Sequence, residues 1–299
     1  MKLEDKNIQF IENIKNSNIA ISQSGKYLVR SNNQLVWLMD FVTREIIIHK
    51  RFKSYIVRGI TRDEKFCLFT SKGEKEINVL SLLTLEEVAS ISTSHIFDLK
   101  FISNDSVMFY ERDNAIDKSF VKMWNFKTGE IRIVYTYDRV SKCGNSVFFD
   151  KDNLVVLSQK DCGEVTCRTF NKSNIESFKI NEGYDASNFS QLRGTKLLAT
   201  RRENGVSVGV YDILSNNYSV ISKINAIHLR WITDCLFWFV ELKPGCNFYS
   251  GIMDLSGNIL WKAKGSYHFV NSSNDNYFVF DSCCDVFLFK KIENDKEQS

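Results

Sequence analysis

A short apolar run, preceded by a polar turn, returns along this chain roughly every forty residues. The runs are YLVR from Tyr27, FCLF from Phe66, VMFY from Val107, LVVL from Leu154, LLAT from Leu197, LFWF from Leu236 and YFVF from Tyr277. Their start positions are separated by 39, 41, 47, 43, 39 and 41 residues. The turns before them read QSGK, TRDEK, SNDS, DKDN, RGTK, TD and SNDN. Asp, Asn and Gly suit tight hairpins because they tolerate left-handed backbone or cap it with their own side chains. A unit of this length cannot bury its apolar residues alone, so it must pack against its neighbours in an array.

Each unit has room for four strands. In the first, NIAIS at 18–22, KYLVRS at 26–31, QLVWLMDF at 34–41 and REIIIHK at 44–50 are separated by short polar turns. They are rich in the β-branched and aromatic residues that pleated, half-buried strands favour. Lettering these strands a to d, a second recurrence marks the end of strand c. It reads MDFVT, LSLLT, WNFKT, YDILS and MDLSG, placing Asp40, Ser81, Asn125, Asp212 and Asp254 in register.

Four short strands per forty-residue unit is the pattern of a β-propeller blade. Over residues 7–292 the chain resembles the WD-repeat and related β-propeller superfamily. The resemblance lies in period and strand pattern. The family's Trp-Asp dipeptide is absent, with Trp124-Asn125 the nearest match. His95, His228 and His268 precede Asp105, Asp234 and Asp275 by 10, 6 and 7 residues, too uneven for the family's His-Asp-Ser-Trp network. The expectation is an all-β, seven-bladed propeller of four-stranded antiparallel blades near 15–54, 55–94, 95–140, 141–182, 183–225, 226–264 and 265–292, with a polar tail at 294–299. The last unit lacks a fourth strand, and NIQFIENI at 7–14 belongs to no unit. It is expected to complete the last blade. The alternative is a short helix, since Ile8, Ile11 and Ile14 also fit helical spacing.

The composition, 43% hydrophobic and 25% charged with a net charge of +3, does not mark a dedicated nucleic-acid or anionic-membrane protein. The N-terminus MKLEDKNIQF has no apolar signal core, and no apolar run approaches the ~20 residues of a membrane span. A cytoplasmic location is expected, with the eight cysteines as free thiols. Cys162 and Cys167 are five apart, and Cys283 and Cys284 are adjacent, neither a zinc-type spacing. No metal or cofactor is expected.

In a propeller, strand a of each blade lines the central channel. Candidate channel residues are Arg58, Asp98, Lys100, His228, Arg230 and His268, with Asn188 also on strand a. Glycoside hydrolysis needs two carboxylates, and Asp98 is one clear candidate. These side chains also suffice to pair with one another. The basic stretch HKRFKSYIVRGITR at 49–62 mixes Lys and Arg with Phe52 and Tyr55, as nucleic-acid surfaces do. Its alternative is a solvated d–a loop. The longer connections are ERDNAIDKS at 111–119, TYDRVSKCGNS at 136–146, NEGYDAS at 181–187 and ELKPGCN at 241–247. All are of the b–c or d–a kind, which share one face in a propeller. Long loops on a rigid scaffold concentrate function. They nominate Arg112, Asp113, Tyr137, Arg139, Lys142, Tyr184 and Asp185 as partner-binding residues. The reading is a non-catalytic protein-interaction module, subunit or adaptor. Its rivals are a channel-centred propeller enzyme of hydrolase or lyase type and an RNA-associated propeller using 49–62.

Overall fold

The computed structural model describes residues 8–15, 18–32, 34–52, 54–71, 73, 75–138, 146–150, 153–160, 164–170, 175–180, 189–201, 206–245, 247–265, 268–270, 277–281 and 285–291. These are β-strands and the turns between them. The first strand, β1, is Ile8–Lys15. It is followed by β2 (Asn18–Ile21), β3 (Tyr27–Ser31), β4 (Leu35–Asp40) and β5 (Ile46–Arg51). The next four are β6 (Tyr55–Ile60), β7 (Phe66–Ser71), β8 (Glu76–Ser81) and β9 (Glu87–Ser92). After them come β10 (Ile96–Phe101), β11 (Ser106–Asp113), β12 (Lys118–Asn125) and β13 (Ile131–Asp138). The chain continues through β14 (Ser146–Asp150), β15 (Asn153–Lys160), β16 (Glu164–Phe170) and β17 (Ile175–Ile180), then β18 (Phe189–Arg193), β19 (Lys196–Arg201), β20 (Ser207–Asp212) and β21 (Asn217–Ser222). It ends with β22 (Ala226–Trp231), β23 (Leu236–Lys243), β24 (Asn247–Asp254) and β25 (Ile259–Lys264), then β26 (His268–Val270), β27 (Tyr277–Asp281) and β28 (Asp285–Lys291).

Two compact units hold these strands. One contains β1–β13 and β26–β28, the other β14–β25. In the first, the four-stranded sheets run β2-β3-β4-β5, β6-β7-β8-β9, β10-β11-β12-β13 and β1-β28-β27-β26. In the second they run β14-β15-β16-β17, β18-β19-β20-β21 and β22-β23-β24-β25. Neighbours are antiparallel in every sheet. The N-terminal segment is therefore a strand, and it is the fourth strand of the sheet formed by the C-terminal end of the chain. β1 pairs with β28 from Ile8↔Lys291 to Lys15↔Asp285. The helical reading of that segment is excluded.

The apolar runs are the second strands, and β7, β11 and β23 among them are buried on both faces. β7, β11 and β23 each carry at least four consecutive buried residues. One core joins the first two sheets through Val29, Val36, Leu38, Val57, Cys67, Phe69 and Leu80. A second joins the next pair through Leu68, Val79, Leu99, Phe109 and Trp124. In the other unit, Leu198, Val208, Leu229, Trp231, Phe237 and Phe239 form the corresponding layer. First strands lie beside first strands, β2 against β6 and β14 against β18.

The recurrence at the end of strand c is a self-capped turn. Asp40 Oδ1 accepts the amides of Val42 and Thr43, both at 2.8 Å. Asn125 and Asp212 do the same for residues two and three further on, and Asp254 for Ser256 and Asn258. Each turn then needs one left-handed residue to re-enter strand d: Arg44, Leu85, Gly129, Asn216 and Gly257 have φ between 52° and 86°. Past the turn, each of these outer strands carries a bulge against strand c, at Ile47, Val88, Val134, Ile221 and Leu260. A bulge on an edge strand twists its free backbone away from flat pairing with another chain.

Two outcomes are expected. Gly129 has φ 78° and open space around the Cβ position, so Gly129→Ala adds only backbone strain and lowers unfolding free energy by about 1–2 kcal/mol in denaturant titration. Deleting residues 1–15 strips β28 of its outer neighbour. The truncated protein should melt lower and self-associate, and an unchanged melting temperature in a monomer would show that β1 contributes nothing.

Candidate functional site

The two ends of each sheet are built differently. At the end carrying the a–b and c–d turns, successive sheets are stapled together. The Ser24 amide donates to Glu64 Oε1 at 2.7 Å, and the Asp63 amide to Asn104 Oδ1 at 3.3 Å. In the other unit Arg193 Nε lies 2.6 Å from Asp234 Oδ1. Each contact joins the a–b end of one sheet to the a–b turn of the next, which gives the polar residues of these turns a structural role.

At the opposite end are the b–c and d–a connections. Two hairpins are longer there: β11–β12 and β23–β24 have eight residues in each strand. Each carries a buried glutamate at the same register position. Glu111 Oε1 accepts the Ser94 amide at 2.6 Å, and its Oε2 lies 2.5 Å from Lys122 Nζ. Glu241 Oε2 lies 2.5 Å from Lys262 Nζ and 4.0 Å from Lys243 Nζ. A buried carboxylate is tolerated only when paired and hydrogen-bonded. Both glutamates face a strand-a residue just before a bulge, with Ile96↔Glu111 and Ala226↔Glu241 in register. The bulge turns Phe97 and Ile227 outward, and Phe97 is 48% exposed.

Around β23–β24 the side chains are mainly basic and aromatic. Lys243 and Lys262 place their ammonium groups 5.3 and 5.1 Å from the centre of the Tyr249 ring. Lys264 is Tyr249's cross-strand partner. Gly251, two residues on, sits against its neighbouring strands: a Cβ there would lie 2.6 Å from Phe239 Cζ and 2.7 Å from the Trp261 carbonyl oxygen.

The loop-borne candidates separate into three groups. Arg139, Lys142, Tyr184 and Asp185 lie outside the described residues. Arg112 and Asp113 belong to strand β11, half-buried, because the hairpin continues to a tight turn at 114–117. Tyr137 was expected on an exposed loop, but it lies in β13 and is only 8% exposed. Its ring packs at 6.0 Å from Tyr110 and 4.8 Å from Tyr135. Those rings give it an apolar seat, so it is a packing residue rather than a surface anchor.

Of the channel candidates, Arg58 sits at the bulge of β6 and its Nε donates to Thr70 Oγ1 at 3.0 Å. Asp98 accepts the Leu99 amide at 2.9 Å. Asp98 and Lys100 are half-buried on β10, while Arg230 is half-buried and His228 exposed on β22. His268 starts β26. The basic stretch at 49–62 does not stay together. His49–Arg51 end β5 at the d–a end, whereas Arg62 lies past β6 at the a–b end, about 20 Å along the strand.

Cys67 and Cys167 are buried free thiols and Cys235 is exposed. Burial raises the Cys67 thiol far above its usual range and pushes Cys167 up to about 12. Among the described residues no group of three His, Cys, Asp or Glu is placed to hold a metal ion. No helix of the described residues is long and apolar enough to cross a membrane.

No protein-family model matches this sequence, and no curated protein matches it either. Solved structures do match. The β-propeller domain of Cps50 (Swd1) from Myceliophteria thermophila superposes with a TM-score of 0.62 at 11% identity, covering 95% of this chain and 100% of that one. Hsv2 from Kluyveromyces lactis gives 0.60 at 12%, covering 95% and 96%. The C-terminal WD40 domain of Sif2 gives 0.58 at 12%, covering 94% and 82%. The chain thus has the antiparallel β-propeller fold of WD40-repeat proteins, with four-stranded blades.

The capped turns give a pH-dependent outcome. Amide hydrogen bonds from Thr43 and Val42 hold the Asp40 carboxyl below the usual range. At Asp254 burial pushes upward, but the Asn258 side chain and the amides of Asn258, Ser256 and Gly257 outweigh it. A depressed carboxylate pKa stabilises the fold above the ordinary value of about 4, and that contribution is lost as pH falls through the native pKa. Asparagine can accept the same amides without the charge, as Asn125 does. Urea midpoints should show D40N/D254N less stable than the parent at pH 7 and the gap narrowing at pH 3. A gap independent of pH would remove the charge from the account.

Proposed function

We propose that the protein is a non-catalytic interaction module, a cytoplasmic subunit or adaptor built as one seven-bladed ring, that holds a partner protein at the end carrying the b–c and d–a connections. The observation that carries this reading is the asymmetry of the sheets. One end is committed to internal structure through capped turns and sheet-to-sheet staples. The other extends the two eight-residue hairpins outward and presents Arg112, Asp113 and Lys243 on them. A rigid frame with variable connections at one end is the arrangement that positions recognition residues precisely. Arg139, Lys142, Tyr184 and Asp185, which the sequence places in longer d–a connections, are proposed as further partner-binding residues. The fold shared with WD40 proteins is compatible with this use but does not choose the partner.

The test is affinity purification of the tagged protein from its native cells, in three forms. R112A/D113A/K243A alters the proposed end, and K127A/E130A alters exposed residues of a c–d turn. The first set should reduce recovery of the co-purifying partner at least tenfold, while the second leaves it unchanged. Equal loss from both, or loss only from the second, would reverse the assignment of the functional end.

A further inference from the structure

The β11–β12 hairpin ends in a turn whose composition the turn itself does not explain. Residues 114–117 read NAID, and all four are exposed. Ala115 and Ile116 stand at the tip, where tight turns favour Gly, Pro, Asn, Asp or Ser. Ile116 is 56% exposed. The equivalent hairpin, β23–β24, carries the usual turn formers Pro244 and Gly245 at its tip. An isoleucine is therefore not something the scaffold needs there. A residue that breaks a local rule without a structural return marks a functional position.

The tip is held on a fixed arm. Asp113 Oδ1 accepts the Ala115 amide at 2.9 Å, and Asp113 faces Lys118 across the hairpin. Asp117 takes a left-handed backbone, with φ 54°, to close the turn. Below it the Arg112 amide donates to the His95 carbonyl at 2.8 Å, and Glu111 ties the hairpin to Ser94 and Lys122. The arm runs two residues, about 7 Å, past Glu111 before it turns. A side chain carried on such an arm costs little ordering on binding. Exposed Phe97 adds apolar surface at the base, its ring edge-on to His95 at 4.9 Å and to Tyr110 at 5.8 Å.

The charges beside the tip are Arg112, Asp113, Asp117 and Lys118, two of each sign. Their sum is zero, and pairing among them leaves it so. The hairpin has no net field to draw a polyanion, whether nucleic acid or an anionic membrane. An apolar tip within charges of both signs is complementary to a protein surface.

We infer that the β11–β12 tip is an insertion element: Ile116 enters an apolar pocket of the partner protein whose rim carries charges of both signs. The inference rests on the proposed partner-binding end and names the side chain that anchors it.

The test is photo-crosslinking of the purified full chain in a lysate of its native cells. One sample carries p-benzoylphenylalanine in place of Ile116, a control carries it in place of Lys127, and the adducts are digested and sequenced. Position 116 should attach to an apolar residue of a second protein, and position 127 should leave that protein unlabelled. I116S should melt as the parent does and recover the same protein at least tenfold less, because the apolar side chain is no longer there to be buried. I116L keeps the apolar side chain and should recover it as the parent does. Adducts only to nucleic acid, to lipid or to a second copy of this chain, no adduct at all, or full recovery by I116S would each overturn the inference. If I116S recovers the protein fully while R112A/D113A/K243A still releases it, the partner-binding end stands and only its anchor falls. If neither variant changes recovery, both fall.

Discussion

Burial of strand b on both of its faces is the constraint on which the rest of the architecture depends. A sheet that packs against neighbours above and below cannot alternate polar with apolar residues along its inner strands. The second strands therefore tend to read as apolar runs, unbroken from Phe237 to Val240 in β23. The polar residues are displaced to the turns, and the repeat becomes visible as apolar runs separated by Asp, Asn, Ser and Gly. Both cores in the larger unit are shared between two sheets, so neither sheet has a complete hydrophobic core of its own.

That arrangement leaves the outer strand of each sheet as the exposed edge. An edge of free backbone groups invites pairing with another chain. Here the capped turn at the end of strand c and the bulge that follows it act together. The capping side chain sets the turn, one left-handed residue redirects the chain, and the extra residue in strand d twists the edge. The cost of the left-handed backbone is met differently in each repeat. Gly129 and Gly257 have no Cβ to strain, Asn216 accepts a hydrogen bond from the Tyr211 hydroxyl, and Leu85 is fully buried.

The two ends of the sheets follow from the same economy. The a–b turns are short and touch the next sheet, so their side chains are occupied in holding neighbours. The b–c hairpins have no such duty and are free to lengthen. Where they lengthen, a buried glutamate and its lysine brace the base of the hairpin, at Glu111–Lys122 and Glu241–Lys262. The glutamates share a register position, but the lysine comes from strand c in one sheet, Lys122, and from strand d in the other, Lys262.

The sequence by itself determined the strands, their grouping in fours and the turns that end strand c, whereas only the pairing of β1 with β28 chose strand over helix for the N-terminal segment. The strands, their grouping and the turns depend on local chemistry: apolar runs, turn formers and spacing. It did not determine that Tyr137 is covered, because the ring of Tyr110 that packs on it comes from a strand 27 residues away. Nor did it show that the basic run at 49–62 is dispersed, since the whole length of β6 separates His49–Arg51 from Arg62. The grouping of lysines around Tyr249 was hidden for the converse reason. Lys243, Tyr249 and Lys262 lie in three different strands, and only the antiparallel register that sets Lys264 opposite Tyr249 brings the ammonium groups of Lys243 and Lys262 over its ring.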